Sequence, residues 1–217
     1  MEDQETSPLK FESSWSLGEL AYQAVLADLK SNGARRIVEF GSGTSTLRLS
    51  RDLPNAQVVS IESHDGDLEQ TRRSLETHGG PAEVELSLRS LRWQPHGLSW
   101  FRSYEPGPFP DQVDAVLIDG PPITTRRGRE ACLYQVFSRT HVGTRFYLDD
   151  CCRGAEQRIV DNWLRAYPDA LRHRDTFDIG HGGAVLERVA GRSTRRLHWK
   201  NTVDPIAQTV KQLAPRS

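Results

Sequence analysis

Lysine is scarce in this chain: among 28 basic residues only Lys10, Lys30, Lys200 and Lys211 are lysines, and the rest are arginines. All four fall outside the segments that read as central strands, which removes lysine as an obvious general base. Cysteine is scarce too. Cys132, Cys151 and Cys152 are an odd number without a C-x-x-C spacing. That argues against a disulfide scaffold and for a reducing, cytoplasmic setting. Two adjacent cysteines with no further Cys or His at metal spacing make a poor thiolate site. No apolar run reaches the roughly 18 residues of a membrane span, and the acidic, polar start Met1–Pro8 has no signal-peptide core. The formal net charge of −1 provides no field for nucleic acid. Internal repeats are absent. The 217 residues suffice for one domain with tails.

Two further absences narrow the ligand. The segment Ile37-Val38-Glu39-Phe40-Gly41-Ser42-Gly43-Thr44-Ser45-Thr46 is an apolar strand running into a glycine turn and a helix start. A dinucleotide fingerprint would need a third glycine where Thr46 stands. A phosphate loop would need a Gly-Lys pair, and the chain has none. What remains is a turn whose Gly41 and Gly43 let the backbone approach a ligand closely. Glu62 follows, at the end of the next apolar run, about 20 residues on, where a carboxylate suits adjacent ribose hydroxyls. An adenosine-containing ligand at a sheet edge is the reading these residues share.

Periodicity sets the frame. Apolar positions 17, 20, 21, 24, 25 and 29 predict a first helix that stops at Gly33. Strands are expected at 35–40, 56–61, 82–88, 113–118 and 145–148, with helices at 44–53, 65–78, 127–139 and 154–166 between them. Residues 93–111, rich in proline and aromatics, read as a long loop. Strands at 173–179 and 183–189 flank the turn signal Gly180-His181-Gly182-Gly183. Strands alternating with helices imply a parallel sheet with helices on both faces, and ligands bind such sheets at the carboxyl ends of the strands. Gly41, Glu62, Asp119 and Asp149 are thereby placed on one rim.

Glu39-x-Gly41-x-Gly43, Glu62 and the strand Val113–Ile118 ending in Asp119 resemble, in that order, the motifs of the class I S-adenosylmethionine-dependent methyltransferases. The resemblance runs from about Trp15 to Glu187. It implies a Rossmann-like α/β fold: a seven-stranded methyltransferase sheet, mostly parallel with one antiparallel strand. The implied organisation is a flexible stretch 1–14, a domain 15–189 with an N-terminal cap helix, and a tail 190–217. The resemblance also implies that Glu39, Gly41, Ser42, Gly43, Ser45, Glu62, Leu91 and Asp119 hold S-adenosylmethionine, with Leu91 against the adenine.

Asp119, Asp149 and Asp150 would crowd three carboxylates at the ends of neighbouring strands, and an oxygen-binding cation such as Mg²⁺ would relieve their repulsion. The pattern is similar to the cation-dependent small-molecule O-methyltransferases of the catechol, caffeoyl-CoA and macrocin types. The alternative is that Asp119-Gly120-Pro121-Pro122 is a turn and that Asp150 caps a helix. Those catechol and caffeoyl types carry a lysine where this chain has Pro122. Asp119 and His181 are therefore the catalytic candidates, with His141 as a further base. Arg126 and Arg127 sit at a helix start, where cations oppose the dipole, and suit an anionic group on the acceptor. Trp15, Trp93, Trp100, Phe101 and Tyr104 are candidates to close over the ligands. Expected partners are a small-molecule acceptor and no nucleic acid or membrane, a homodimer being left open. Two other functions stay open: transfer or cyclisation of the aminocarboxypropyl group of S-adenosylmethionine, and a non-catalytic binding protein.

Overall fold

The structure, a computed structural model, describes residues 18–177 and 182–196. Its first element is α1 (Glu19–Ser31), followed by β1 (Arg36–Phe40), α2 (Thr44–Asp52), β2 (Gln57–Glu62), α3 (Asp65–His78) and β3 (Glu83–Leu88). A hairpin of β4 (Leu91–His96) and β5 (Ser99–Tyr104) comes next. The chain then continues as β6 (Val113–Ile118), α4 (Gly128–Val136), β7 (Thr140–Asp149), α5 (Gly154–Ala166), β8 (Leu171–Phe177) and β9 (Gly183–Arg188). Seven strands form one sheet in the order β3-β2-β1-β6-β7-β9-β8, and β4-β5 stand apart as a two-stranded sheet. Within the seven-stranded sheet β9 is antiparallel to both β7 and β8, and the other pairings are parallel. The seven-stranded sheet with one antiparallel strand is thus present as expected.

Successive side chains of a strand point to opposite faces, and both faces of this sheet are covered, so the central strands are apolar runs. Val38, Phe40, Val116, Ile118, Phe146 and Leu148 point into one core with Leu133, Ile159 and Trp163 of α4 and α5. Ile37, Ala115, Leu117 and Tyr147 point into the other, against Tyr22, Val25, Leu26 and Leu29 of α1 and Leu49 of α2.

Two expectations need correction. The buried stripe of α1 is Ala21, Tyr22, Val25, Leu26 and Leu29, shifted from the predicted phase. Leu20 is exposed, and Tyr22 is fully buried with its hydroxyl donating to Asp52 at 2.9 Å. The stretch 93–111 is not simply a loop, since its first half belongs to the β4–β5 hairpin. The hairpin's inward face carries Gln94, Ser99, Phe101 and Ser103, while Trp93, Leu98 and Trp100 face outward.

Candidate active site

Strand register builds the site. Phe40 pairs with Ile61 and with Ile118, and Ile118 pairs with Leu148. One residue further along each strand stand Gly41, Glu62, Asp119 and Asp149, level with one another. Between β1 and β6 the order reverses, opening the crevice where such sheets take ligands.

The glycine turn is fixed from below. Gly41 (φ +100°) donates to Ile61 O at 2.8 Å, while Asp119 N and Gly120 N both donate to Phe40 O, at 3.0 and 2.6 Å. Gly43 (φ +155°) faces open space. Its N–H donates to Thr46 Oγ1 at 3.0 Å, and Thr46 donates in turn to Glu39 Oε2 at 2.5 Å. Ser60 Oγ donates to the same oxygen at 2.8 Å. Thr46 therefore has a positive role at the position whose missing glycine excluded a dinucleotide. Glu39 is fully enclosed. Burial pushes its carboxyl above the usual range, while the hydroxyls of Ser45, Thr46 and Ser60 pull it down.

Glu62 is held by the backbone. Its Oε1 accepts from Ser63 N at 2.5 Å, His64 N at 3.0 Å and Ser63 Oγ at 3.2 Å. Its Oε2 accepts from Ser42 N at 3.2 Å, which leaves acceptor capacity on that oxygen. Ser42 also shares a hydroxyl contact of 3.3 Å with Thr71. Leu91 opens β4 and packs, half-buried, on the core.

Across the crevice, a narrow cleft of about 20 Å³ is lined by Val25, Glu39, Asp119, Tyr147, Asp149 and Phe177, among others. Ser45 also borders it. Its wall is clasped: Asp28 of α1 accepts from Tyr147 Oη at 2.7 Å and pairs with Arg145 of β7.

Asp119, Asp149 and Asp150 each offer one oxygen within 4.8 Å of the others. The spacing suits a cation, but the charge is already opposed. Arg129, near the start of α4 and 7% exposed, sets Nη1 2.9 Å from Asp150 Oδ2 and Nη2 3.4 Å from Asp119 Oδ1. Its Nε donates to Pro121 O at 3.3 Å. Arg153 adds a second guanidinium 2.8 Å from Asp150 Oδ2. A divalent ion at the trio would share its carboxylates with Arg129 and Arg153. Burial pushes the Asp119 carboxyl up to about 7, with Arg129 opposing and Asp149, Asp150 and Glu39 adding to the rise. Asp150 does not cap α5, whose N-cap is Arg153. The Asp119–Pro122 turn and the acidic rim coexist.

Several candidates separate from the site. His141 lies at the amino end of β7, bound to Asp114 Oδ1 at 2.9 Å, about 25 Å of strand away from Asp149. It is no base for this cleft. Arg127 is buried, donating to Glu130 Oε2 at 2.6 Å over the Phe101 ring, so it is not an acceptor-binding cation. Arg126 stands beside it at φ +59°. Trp93 and Trp100 face away from the core, while Tyr104 packs on Phe40 with ring centroids 5.7 Å apart. His181 and Trp15 lie outside the described residues. Arg129, Ser60 and Tyr147 were not singled out from the sequence, and Thr46 was noted only for the glycine it replaces. Only the run of arginines after Pro122 hinted at the first.

No sequence-family model and no curated protein sequence matches the chain. Solved structures do. The O-methyltransferase TomG of Streptomyces achromogenes, involved in tomaymycin synthesis and solved with S-adenosylmethionine, matches at a TM-score of 0.61 and 15% identity, over 81% of this chain and 82% of its own. An O-methyltransferase of Bacillus cereus in complex with S-adenosylhomocysteine matches at 0.59 and 17% identity, over 82% and 84%. A methyltransferase-like protein of Silicibacter pomeroyi matches at 0.55 and 18% identity, over 88% and 94%. At these identities the shared property is the fold.

Proposed function

We propose that this chain, which has the class I methyltransferase fold, is an S-adenosylmethionine-dependent methyltransferase acting on an oxygen of a small molecule. The observation that carries the reading is the level alignment of Gly41, Glu62 and Asp119. A backbone-anchored carboxylate and an open glycine turn stand beside a cleft lined by acidic and apolar groups. When bound, the cofactor supplies a methyl group on a positive sulfur; the acceptor oxygen bonds to that carbon as the carbon–sulfur bond breaks, its electron pair staying on sulfur. Glu62 would take the ribose hydroxyls on Oε2. The space at Gly43 would admit the methionine end beside Glu39, Ser42 and Ser45. Leu91 would lie against the adenine. Val25 and Phe177 would exclude water and align an apolar acceptor. Asp119, lining the cleft, would receive the acceptor's proton, with His181 as the other assigned catalytic group.

Calorimetric titration with S-adenosylmethionine and S-adenosylhomocysteine tests the cofactor half. Micromolar binding is expected, and none would turn the reading to a non-catalytic protein. Product analysis tests the chemistry: S-adenosylhomocysteine is expected, whereas methylthioadenosine would indicate aminocarboxypropyl transfer, which Pro122 in place of a lysine leaves open. Cation assistance at Asp119, Asp149 and Asp150 is a second reading, favoured by their 4.8 Å grouping. Turnover lost in EDTA and recovered with Mg²⁺ would carry it. No helix among the described residues is long and apolar enough to cross a membrane.

A further inference from the structure

We propose that Arg129 is the permanent counter-charge of the acidic rim and holds the place a divalent cation would take, so that this site works without a metal. The catalytic half of this inference rests on the methyl-transfer reading; the electrostatic half does not.

A guanidinium is a rigid fork with five donors and a charge it does not lose. Here its faces are all engaged. Nη1 reaches Asp150 Oδ2, Nη2 reaches Asp119 Oδ1, and Nε reaches Pro121 O. Nη1 also lies 3.4 Å from Asp149 O. One side chain thus ties the ends of β6 and β7 together, the two segments that carry the three acids. Arg153 then doubles the positive charge at Asp150. An incoming cation would meet two guanidiniums at its own ligands.

Arg129 is also poorly placed to withdraw. The preceding Gly128 is packed so closely that a Cβ there would fall 2.3 Å from Thr125 Oγ1 and 2.5 Å from Arg102 O. The following Glu130 is pinned from α5, its carbonyl by Trp163 Nε1 at 2.9 Å and its Oε2 by Asn162 Nδ2 at 3.0 Å. The start of α4 is therefore fixed on both sides of the arginine. A fourth acid shares the same field: Glu156, buried, has an Oε2 without a protein partner. Removing the guanidinium would leave Asp119 and Glu156 without this counter-charge and Asp150 with Arg153 alone, a costly arrangement. Asp119 lines the cleft while its Oδ1 is held, so Arg129 acts as a positioning residue.

Mn²⁺ is the probe. Wild-type full-length protein, Arg129→Gln and Arg129→Lys are compared by Mn²⁺ calorimetry, by thermal unfolding with Mn²⁺ or EDTA, and by S-adenosylmethionine titration. Wild type is expected to bind no Mn²⁺ below millimolar concentration and to unfold at one temperature in Mn²⁺ and EDTA. Arg129→Gln should unfold earlier, regain stability in Mn²⁺ and bind one ion at least tenfold more tightly than wild type. Arg129→Lys, which keeps the charge, should gain no such affinity. Micromolar Mn²⁺ binding by wild type that Asp149→Asn abolishes would overturn the proposal. So would a folded Arg129→Gln protein that gains no affinity. If Arg129→Gln does not fold, the wild-type and Arg129→Lys titrations decide. Failure to bind S-adenosylmethionine would sink the methyltransferase reading alone and leave the Mn²⁺ results standing.

Discussion

Gly41 and Gly120 meet backbone to backbone at the rim of the sheet: a Cβ on Gly41 would lie 2.9 Å from Gly120 N, and one on Gly120 would lie 3.0 Å from Gly41 Cα. The glycine turn after β1 is thus shaped by a second glycine, beyond the Asp119 that follows β6. A Cβ on Gly120 would also fall 2.1 Å from Tyr104 Oη. Gly120→Ala is expected to cost about 1–3 kcal/mol, as overpacking does, and to weaken S-adenosylmethionine binding. Adding Tyr104→Phe should restore part of the loss, because it relieves the hydroxyl contact but not the backbone one. Urea unfolding of the single and double variants measures both. Equal stability of Gly120→Ala and wild type would refute the contact.

Glu62→Gln keeps size and loses charge. Its amide group must face the N–H of Ser42 or the N–H groups of Ser63 and His64, so one end of the side chain opposes a donor. Affinity for S-adenosylmethionine should fall by about 1.5–3 kcal/mol, the range for bonds to a charged group, or roughly 10- to 100-fold. Calorimetry reads this directly, and an unchanged Kd would remove Glu62 from the cofactor site.

Thr46→Val preserves shape and deletes the hydroxyl that links Gly43 N to Glu39. The expected destabilisation is about 1–3 kcal/mol, the range for a buried group left unpaired. Thr46→Ser should stay near wild type. Equal losses in both variants would point to the methyl group's packing instead.

His96 supplies a pH signature away from the rim. Burial, helped by the charge of Arg195, drives its imidazole down to about 4. Its ring sits 5.9 Å from Phe101 and 5.8 Å from Tyr134, with Nε2 buried and unpaired. In the unfolded chain it takes up a proton near 6.5. The unfolded state therefore binds more protons between those values, and stability is full above about 6.5 and falls as pH drops toward 4. His96→Phe should flatten that part of the acid limb in a series of denaturant titrations. An unaltered slope would count against the assignment.

The frame of the molecule was readable because burial on both sheet faces leaves short apolar runs bounded by turns. The strand at 113–118 and the helices at 65–78 and 154–166 match their predicted bounds. The β4–β5 hairpin escaped because its polarity is inverted: Gln94, Ser99 and Ser103 are buried while Trp93 and Trp100 are exposed. Gln94 and Ser103 use that burial to donate to Tyr104 O and Gly128 O. The α1 stripe was misphased because Tyr22 buries a hydroxyl that a partner 30 residues away satisfies. The acids of the rim were found, but not the charge that meets them. Arg129 reaches Asp119 and Asp150 across 10 and 21 residues, and no spacing rule connects them.

The clasp of Asp28 by Tyr147 and Arg145 has a consequence for selectivity. A helix fastened at two points to the strand that carries Asp149 behaves as a wall, not a door. On the proposed methyl-transfer reading, the narrow cleft that Val25 and Phe177 help to line would select an acceptor by its girth more than by its polarity.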